Sequence, residues 1–316
     1  MTHLLEKLQE RFTKKQLFEN VPMSRYTTLH LGGPAQMLCE PATVEQLSHA
    51  LASASELSVP VTILGNGSNM LVRDGGIRGL IIHLGDQFSE ISDPVPLPDG
   101  RFALTAQSGA TVQKLCNVAA DNGLSGLEFA YGIPGTVGGA VCMNAGAYGG
   151  EMKDVVSVVT AMKPDGATVA YSNDELSMGY RQTYFTNEGA GEIITSVTVL
   201  LTPNDEETIR ATMREFSARR REKQPLTVPS CGSTFKRPVG QFAGTLIDQC
   251  GLKGFRVGGA SVSTMHAGFL VNDENGTAAD YLALIGAVQG RVHELTGVML
   301  EPEVRIVGEE AAVEQV

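Results

Sequence analysis

The sequence has no tryptophan, and aromatic residues make up only 6% of its 316 residues. Positive charge is scarce too, because 24 Lys and Arg against 35 Asp and Glu give a formal net charge of −11. Such a chain repels phosphate polymers and anionic membrane surfaces, so we expect neither nucleic acid nor membrane as a partner. A small anionic ligand is compatible with this charge, since backbone N–H groups and a few local cations bind anions.

Cysteines are few and scattered. There are five, without a CxxC pair, which argues against a disulfide framework and against a zinc site, so we predict reduced thiols and no metal. The first residues lack the apolar stretch of a signal peptide, and no later run approaches the ~18 apolar residues of a membrane helix. We therefore expect a cytoplasmic protein, and we favour a monomer. The balance of 42% hydrophobic and 19% charged residues is typical of a globular fold.

Helix and strand patterns alternate along the chain. Thr43-Val-Glu-Gln46 predicts a capping box at the start of a helix, and Pro225 ends a helix predicted from Glu206 to Lys223. Strands are predicted at residues 60–64, 80–84, 101–106, 155–162, 168–171 and 192–201, and further helices at residues 112–120, 244–250 and 277–296. The pattern indicates an α+β protein with a domain junction near residues 220–226.

A first glycine-rich segment, Leu64-Gly65-Asn66-Gly67-Ser68-Asn69, directly follows a predicted strand. Its glycines allow successive N–H groups to turn towards one point, as in an anion-binding nest, and this favours a diphosphate ligand. The alternative is a tight β-turn. The segment is neither a Walker A loop nor a GxGxxG motif, so the usual nucleotide folds are disfavoured.

A second segment is denser still. Seven of the nineteen residues from Gly132 to Gly150 are glycine, which predicts neither a helix nor a plain strand. Pro134 restricts φ, while the glycines remove side chains where a flat or charged ligand would press on the backbone. The alternative is a bulged corner of a sheet.

Three other places carry reactive side chains. Pro229 to Pro238 combines hydroxyls, a thiol and two cations in one kinked loop, but no Ser or Cys nucleophile signature is present. Arg181, after Tyr180, and Glu303, near the end of the chain, read as ordinary surface charges when taken alone.

Taken together and in this order, the motifs resemble the UDP-N-acetylenolpyruvoylglucosamine reductase family. The resemblance covers the chain from about residue 16 to 308. Its matching segments are NVPMSRYTTLHLGG (20–33), ILGNGSNML (63–71), residues 132–150, Tyr180-Arg181, Lys223-Gln-Pro, CGSTFKRP (231–238), GLKG (251–254) and LEPEVRIVG (300–308). Thr183 stands where the family often has serine, and Arg237 where longer members have asparagine. The short spacing from Arg181 to Lys223 resembles the class that lacks an inserted tyrosine-bearing loop.

The resemblance implies an α+β fold with a two-subdomain FAD-binding region of the vanillyl-alcohol-oxidase/PCMH type and a C-terminal α+β substrate domain. We expect the FAD-binding region at residues 1–220, with subdomains at about 1–86 and 87–220. The substrate domain is expected at 221–302, and a terminal strand returning to the first subdomain at 303–316.

By resemblance, the enzyme reduces UDP-N-acetylglucosamine enolpyruvate to UDP-N-acetylmuramate in peptidoglycan precursor synthesis. NADPH reduces non-covalent FAD, which then passes hydride to the vinyl ether. The expected FAD-binding residues are Leu64, Gly65, Asn66, Gly67, Ser68, Asn69, Gly132, Ile133, Pro134, Gly135, Thr136, Gly138, Gly139 and Ala140.

The expected catalytic residues are Arg181, which holds the substrate carboxylate, Ser233, which donates a proton to the carbanion, and Glu303, which donates a hydrogen bond to the same carboxylate and therefore needs a raised pKa. Lys223, Lys236 and Arg237 are the expected substrate-binding cations. Two other functions fit the glycine segments: a related flavin oxidase, often with flavin attached through His or Cys, and a non-catalytic nucleotide-binding regulator.

Overall fold

A computed structural model describes residues 1–311 of the chain. Its helices are α1 (Thr2–Leu8), α2 (Val44–Glu56), α3 (Val112–Asp121), α4 (Val137–Cys142), α5 (Glu206–Lys223), α6 (Ala243–Gln249) and α7 (Ala278–Thr296). The strands of the N-terminal part are β1 (Leu17–Pro22), β2 (Pro34–Cys39), β3 (Val61–Leu64), β4 (Met70–Val72), β5 (Ile77–His83), β6 (Val95–Pro96), β7 (Phe102–Gln107) and β8 (Leu124–Ser125). Those that follow are β9 (Gly146–Ala147), β10 (Gly150–Glu151), β11 (Val156–Met162), β12 (Thr168–Ser172), β13 (Ile193–Pro203), β14 (Ser230–Ser233), β15 (Arg256–Val257), β16 (Ala260–Val262), β17 (Phe269–Asn272) and β18 (Arg305–Val307).

The predicted helices and strands are confirmed to within a few residues at their ends. Helix α5 has the predicted bounds, and Thr43 caps α2 by accepting a hydrogen bond from the Gln46 backbone N–H at 3.2 Å. The second half of the predicted capping box is wrong, because the Gln46 amide oxygen accepts from the Ala42 N–H instead. Among residues 1–311, no helix is long and apolar enough to cross a membrane.

The chain divides into two compact units. The first comprises residues 1–18, 38–66 and 80–220, and the second comprises 19–37, 67–79 and the chain from Arg221 onward. Stretches 19–37 and 67–79, which the predicted boundaries assign to the first subdomain, thus group with the C-terminal part. The boundaries drawn from the sequence stay a prediction, and their last residues, 312–316, lie outside the described chain.

The first unit is built on a large antiparallel sheet with the strand order β12-β11-β13-β7-β6, to which β8 adds by pairing with β13. Its central strand β13 alternates buried and half-buried residues, so that one face of the sheet is covered. Helices α3 and α4 contribute apolar residues to the core on this sheet, together with Ile209 and Met213 of α5. Strands β3 and β5 pair in parallel in the same unit, and the order of their four-stranded sheet is β1-β2-β5-β3.

The second unit has a four-stranded antiparallel sheet with the order β14-β17-β16-β15. Helix α7 covers it, and the fully buried Tyr281 lies at the centre of that core. The chain then returns as β18, which pairs in parallel with β4 in the register Arg305 to Met70. This pairing brings the C-terminal segment beside the residues that follow the first glycine-rich segment.

The prediction that the second glycine-rich segment contains no helix is wrong. Helix α4 begins after Thr136, whose hydroxyl accepts a hydrogen bond from the Gly139 N–H, and it runs through Gly138 and Gly139. A Cβ on Gly138 would lie only 2.7 Å from the Ser108 Cβ. Close packing of α4 on its neighbour therefore requires glycine, and this contact outweighs the low helix propensity of glycine.

Candidate functional site

In the first unit, the start of the first glycine-rich segment, Gly65 and Asn66, contacts the second segment. The Asn66 side-chain amide donates a hydrogen bond to the Pro134 carbonyl at 2.5 Å. A Cβ on Gly65 would lie 2.4 Å from the Thr136 hydroxyl oxygen, so the two loops touch at a position that only glycine fits. Part of the glycine content thus reflects close contact of the protein with itself.

The backbone donors of the first segment are nevertheless available to a ligand. The N–H groups of residues 65–69 donate to no acceptor within residues 1–311, although Gly67 is buried. Buried backbone donors in folded proteins are nearly always paired. A run of unpaired N–H groups with Gly67 at φ +59° fits the anion nest predicted from the sequence better than the tight-turn alternative.

Sequence reasoning missed a buried cation beside the second segment. Arg220, on α5, is 8% exposed; its Nη1 donates to the Gly132 carbonyl at 2.5 Å, and its Nε has no hydrogen-bond partner. No carboxylate within residues 1–311 pairs with it, and it lies 6.0 Å from the centre of the Tyr148 ring. A permanent cation buried without an anion is costly, so this position fits an anionic ligand.

A helical spacing in the sequence carries the signal for this residue. Ile209, Met213, Phe216 and Arg220 follow the i, i+4, i+7, i+11 pattern of one helix face. An arginine on the same helix face as three apolar residues is a candidate for burial. The basic run that contains it, by contrast, suggests only positive charges that stabilise the C-terminal end of the helix.

Arg181 lies in the first unit on a tight turn. Gly179 and Gln182 flank the turn and pair through two backbone hydrogen bonds. The Gly179 nitrogen lies 2.8 Å from the Gln182 oxygen, and the Gln182 nitrogen lies 3.3 Å from the Gly179 oxygen. Arg181 has φ +53°, in the left-handed region that residues other than glycine rarely adopt. The hydroxyl of Thr183 donates to the Cys142 carbonyl at 2.8 Å and is fully buried, so this residue anchors the turn to the end of α4.

Ser233 and Glu303 are neighbours in the second unit. The Glu303 N–H donates to the Thr234 carbonyl at 2.8 Å, and Phe235 forms a bridge with Pro302. Segment 301–303 therefore runs antiparallel to segment 234–236. Asn69 joins them, because its side-chain amide donates to the Glu303 carbonyl at 3.2 Å.

A buried network fixes the direction of Ser233. Cys231 and Thr234 are buried and lie 3.2 Å and 3.1 Å from the Tyr281 hydroxyl. Burial raises the pKa of the Cys231 thiol to about 11, against the lowering effect of its Tyr281 hydrogen bond, so it is not a nucleophile at neutral pH. With its neighbours turned inward and the register of β14 shifted against β17, Ser233 is exposed.

The three predicted substrate cations differ in their surroundings. Lys223 is exposed at the last residue of α5. Lys236 forms an ion pair with Glu301, and the Arg237 guanidinium lies 4.7 Å from the centre of the Phe242 ring. Across residues 1–311, no group of three or more His, Cys, Asp or Glu side chains is arranged to hold a metal ion.

Two family models match the chain. Residues 34–172 match an FAD binding domain, and residues 224–307 match the UDP-N-acetylenolpyruvoylglucosamine reductase C-terminal domain. The orphaned donors around Gly67 and Arg220 fit FAD, which offers a diphosphate and a ring system that carries negative charge when reduced.

Curated relatives and solved structures agree with these matches. The UDP-N-acetylenolpyruvoylglucosamine reductases of Exiguobacterium sibiricum and Levilactobacillus brevis are 46% and 44% identical, covering 98% and 96% of this chain and 98% and 97% of theirs. The crystal structure of the Thermus caldophilus reductase superposes with a TM-score of 0.77 at 37% identity, covering 90% of this chain and 97% of that one. An alkyldihydroxyacetonephosphate synthase, at 15% identity and a TM-score of 0.50 over 64% of this chain and 41% of its own, shares the fold. The resemblance and the fold class inferred from the sequence are confirmed, and the chain belongs to the UDP-N-acetylenolpyruvoylglucosamine reductase family.

Proposed function

We propose that this FAD-dependent oxidoreductase uses NADPH to reduce UDP-N-acetylglucosamine enolpyruvate to UDP-N-acetylmuramate, a step of peptidoglycan precursor synthesis on which cell shape and division depend. The juxtaposition of Ser233 and Glu303 carries the proposal. These residues are far apart in sequence, yet backbone pairing between Thr234 and Glu303 brings the segment that follows Ser233 beside the segment that carries Glu303. A proton donor next to an acid is what reduction of an enol ether conjugated to a carboxylate requires.

Bound FAD would supply the hydride-transfer chemistry that links NADPH to the vinyl carbon of the substrate. Within the segment Leu64 to Asn69, residues 65–69 supply unpaired N–H donors for its diphosphate, and residues 132–136 with Gly138, Gly139 and Ala140 supply a surface without large polar side chains. Arg220 adds a buried positive charge behind Gly132. We assign these groups to cofactor binding.

Three residues act on the substrate in this proposal. The Arg181 guanidinium binds the carboxylate as a planar fork and stabilises the charge that develops on it. Glu303, when protonated, donates a hydrogen bond to the same oxygens. Ser233 gives its proton to the carbon next to the carboxylate, a contribution of roughly 10²- to 10⁴-fold for a general acid.

We assign Lys223, Lys236 and Arg237 to the diphosphate of the substrate. Of these, Lys223 and Arg237 are exposed to an incoming ligand, whereas Lys236 is half-buried and paired with Glu301. An ion pair of that kind has little net charge at a distance, so Lys236 contributes less to steering than its sequence position suggests.

The test is a two-step titration of the purified protein. NADPH should bleach the flavin absorbance, and UDP-N-acetylglucosamine enolpyruvate should restore it with formation of UDP-N-acetylmuramate, identified by mass spectrometry. UDP-N-acetylglucosamine, which lacks the enolpyruvyl group, serves as the control and should leave the flavin bleached. Failure of the enolpyruvyl compound to restore the colour would refute the proposed function.

Two alternatives are separated by simple observations. Yellow colour that stays with the polypeptide after denaturation would indicate covalent flavin and the oxidase alternative. NADPH oxidation that does not depend on the enolpyruvyl compound would leave only a nucleotide-binding role. A cytoplasmic location and a monomeric state stay predictions, which cell fractionation and gel filtration test.

A further inference from the structure

The turn that carries Arg181 needs support, because its backbone is unfavourable. Arg181 has φ +53°, and two backbone hydrogen bonds between Gly179 and Gln182 close the turn. Left-handed conformations of residues other than glycine persist when the surrounding structure holds them in place. The Gly179 carbonyl also accepts a side-chain hydrogen bond from a second segment.

That hydrogen bond comes from Asn144, two residues beyond α4. Asn144 is 1% exposed, and its side-chain amide donates to the Gly179 carbonyl at 3.0 Å and to the Glu151 carboxylate at 2.8 Å. Its amide oxygen accepts from the Lys153 N–H at 2.9 Å. Together these contacts fix the side chain in a single orientation, and both of its N–H donors are used.

The backbone of Asn144, unlike its side chain, takes part in ending helix α4. Its φ is +41° and its N–H donates to the Val141 carbonyl at 3.0 Å, as at the end of many helices, where glycine serves equally well. The conformation alone therefore does not require an amide side chain. The three side-chain bonds are what distinguish asparagine from glycine here.

Glu151 links this support to the guanidinium itself. Its carboxylate lies 3.0 Å from the Lys153 ammonium. Lys153 lowers the pKa of Glu151 most, the Asn144 hydrogen bond lowers it further, and the charge of Arg181 adds to the same effect. The carboxylate that holds Asn144 is therefore ionised and within electrostatic reach of Arg181.

We propose that Asn144, held in orientation by Glu151, is a positioning residue that fixes the Arg181 turn through its hydrogen bond to the Gly179 carbonyl. The inference rests on the proposed role of Arg181 at the substrate carboxylate. Asn144 acts through Arg181 and does not touch the reacting atoms. Its loss should therefore slow hydride delivery to the enolpyruvyl substrate and spare the reduction of the flavin by NADPH.

The test compares Asn144→Gly with Asn173→Ala in the holoenzyme. Asn144→Gly keeps the left-handed backbone and removes only the side chain. Asn173 is a matched control, because its amide also donates two hydrogen bonds, but to the backbone carbonyls of Lys153 and Val156 and not to the Arg181 turn. Stopped-flow absorbance measures the two half-reactions separately, and amide hydrogen exchange of peptides covering residues 179–184 reports the turn without any need for turnover.

For Asn144→Gly we expect flavin reoxidation by the substrate to slow by about 10- to 100-fold, as for a small displacement of a binding group. Flavin reduction by NADPH should stay within about 3-fold of wild type, and exchange at residues 179–184 should accelerate. Adding Asn144→Gly to Arg181→Lys should cost less than about 3-fold further, since both changes disable one function. Asn173→Ala should show none of these selective effects.

Equal slowing of both half-reactions, unchanged exchange of the turn, or fully multiplicative effects in the double variant would each overturn the proposal. A wild-type protein whose flavin the enolpyruvyl compound does not reoxidise would instead refute the proposed function. In that case the exchange measurement still decides whether Asn144 holds the turn.

Discussion

Replacing Arg220 with methionine should weaken FAD binding without destabilising the FAD-free protein. Methionine has a similar length and fits an apolar environment but carries no charge. In the protein alone, the guanidinium is buried with one hydrogen bond to the Gly132 carbonyl and an Nε without an acceptor. Removing a buried cation that lacks a counter-charge is neutral or stabilising, so the Tm of the FAD-free variant should be unchanged or higher.

With FAD bound, the same change removes a charged hydrogen-bond donor that the protein offers to the ligand. A hydrogen bond to a charged group contributes about 1.5–3 kcal/mol, and each 1.4 kcal/mol is a factor of ten, so the Kd for FAD should rise about 10- to 100-fold. Flavin fluorescence titration measures the Kd, and thermal unfolding of the FAD-free protein measures the Tm. Arg219→Met is the matched control, because Arg219 is the exposed neighbour on α5 and pairs with Glu215. A variant that loses stability without FAD and keeps the wild-type Kd would refute this reasoning.

Three further predictions concern the second unit. Ser233→Ala should leave bleaching of the flavin by NADPH intact and lower turnover by roughly 10²-fold or more, and equal loss of both half-reactions would refute the proton-donor role. Tyr281→Phe should lower the free energy of unfolding by about 1–3 kcal/mol, because the fully buried hydroxyl donates to the Leu270 carbonyl at 3.1 Å; an unchanged urea midpoint would contradict this. The Thr277 and Gly259 N–H groups lower the pKa of Asp280, so its carboxylate stabilises the fold above the unfolded pKa of about 3.9 and this stability is lost as pH falls through the lower folded pKa. Asp280→Asn should therefore be less stable than wild type at pH 7, with the gap closing in strong acid, and a gap independent of pH would contradict this.

Much of the local structure was predictable from the residues themselves. Thr43 before an apolar spacing, Pro225 after a long amphipathic stretch and β-branched runs between turns place helices and strands within a few residues of their positions, because these signals act over one or two turns of chain. The family follows from eight motifs in one order, and the comparisons confirm it.

Local signals were misleading where a distant contact decides the conformation. The density of glycine around Gly138 predicts irregular backbone, but contact with Ser108 stabilises a helix there. The basic run that includes Arg220 suggests a solvated helix end, whereas packing buries that one arginine beside Gly132.

The sequence by itself determined which chemical groups are available: two glycine-rich segments, an arginine after Tyr180, a serine in a loop with two cations and a late glutamate. Only the tertiary structure decided which of them meet. Asn66 reaches Pro134, Asn69 and Thr234 both reach Glu303, and Asn144 reaches Gly179 through hydrogen bonds whose partners are distant in the chain. Such pairings depend on the burial of two separate cores, and no pattern within a short window of sequence contains that information.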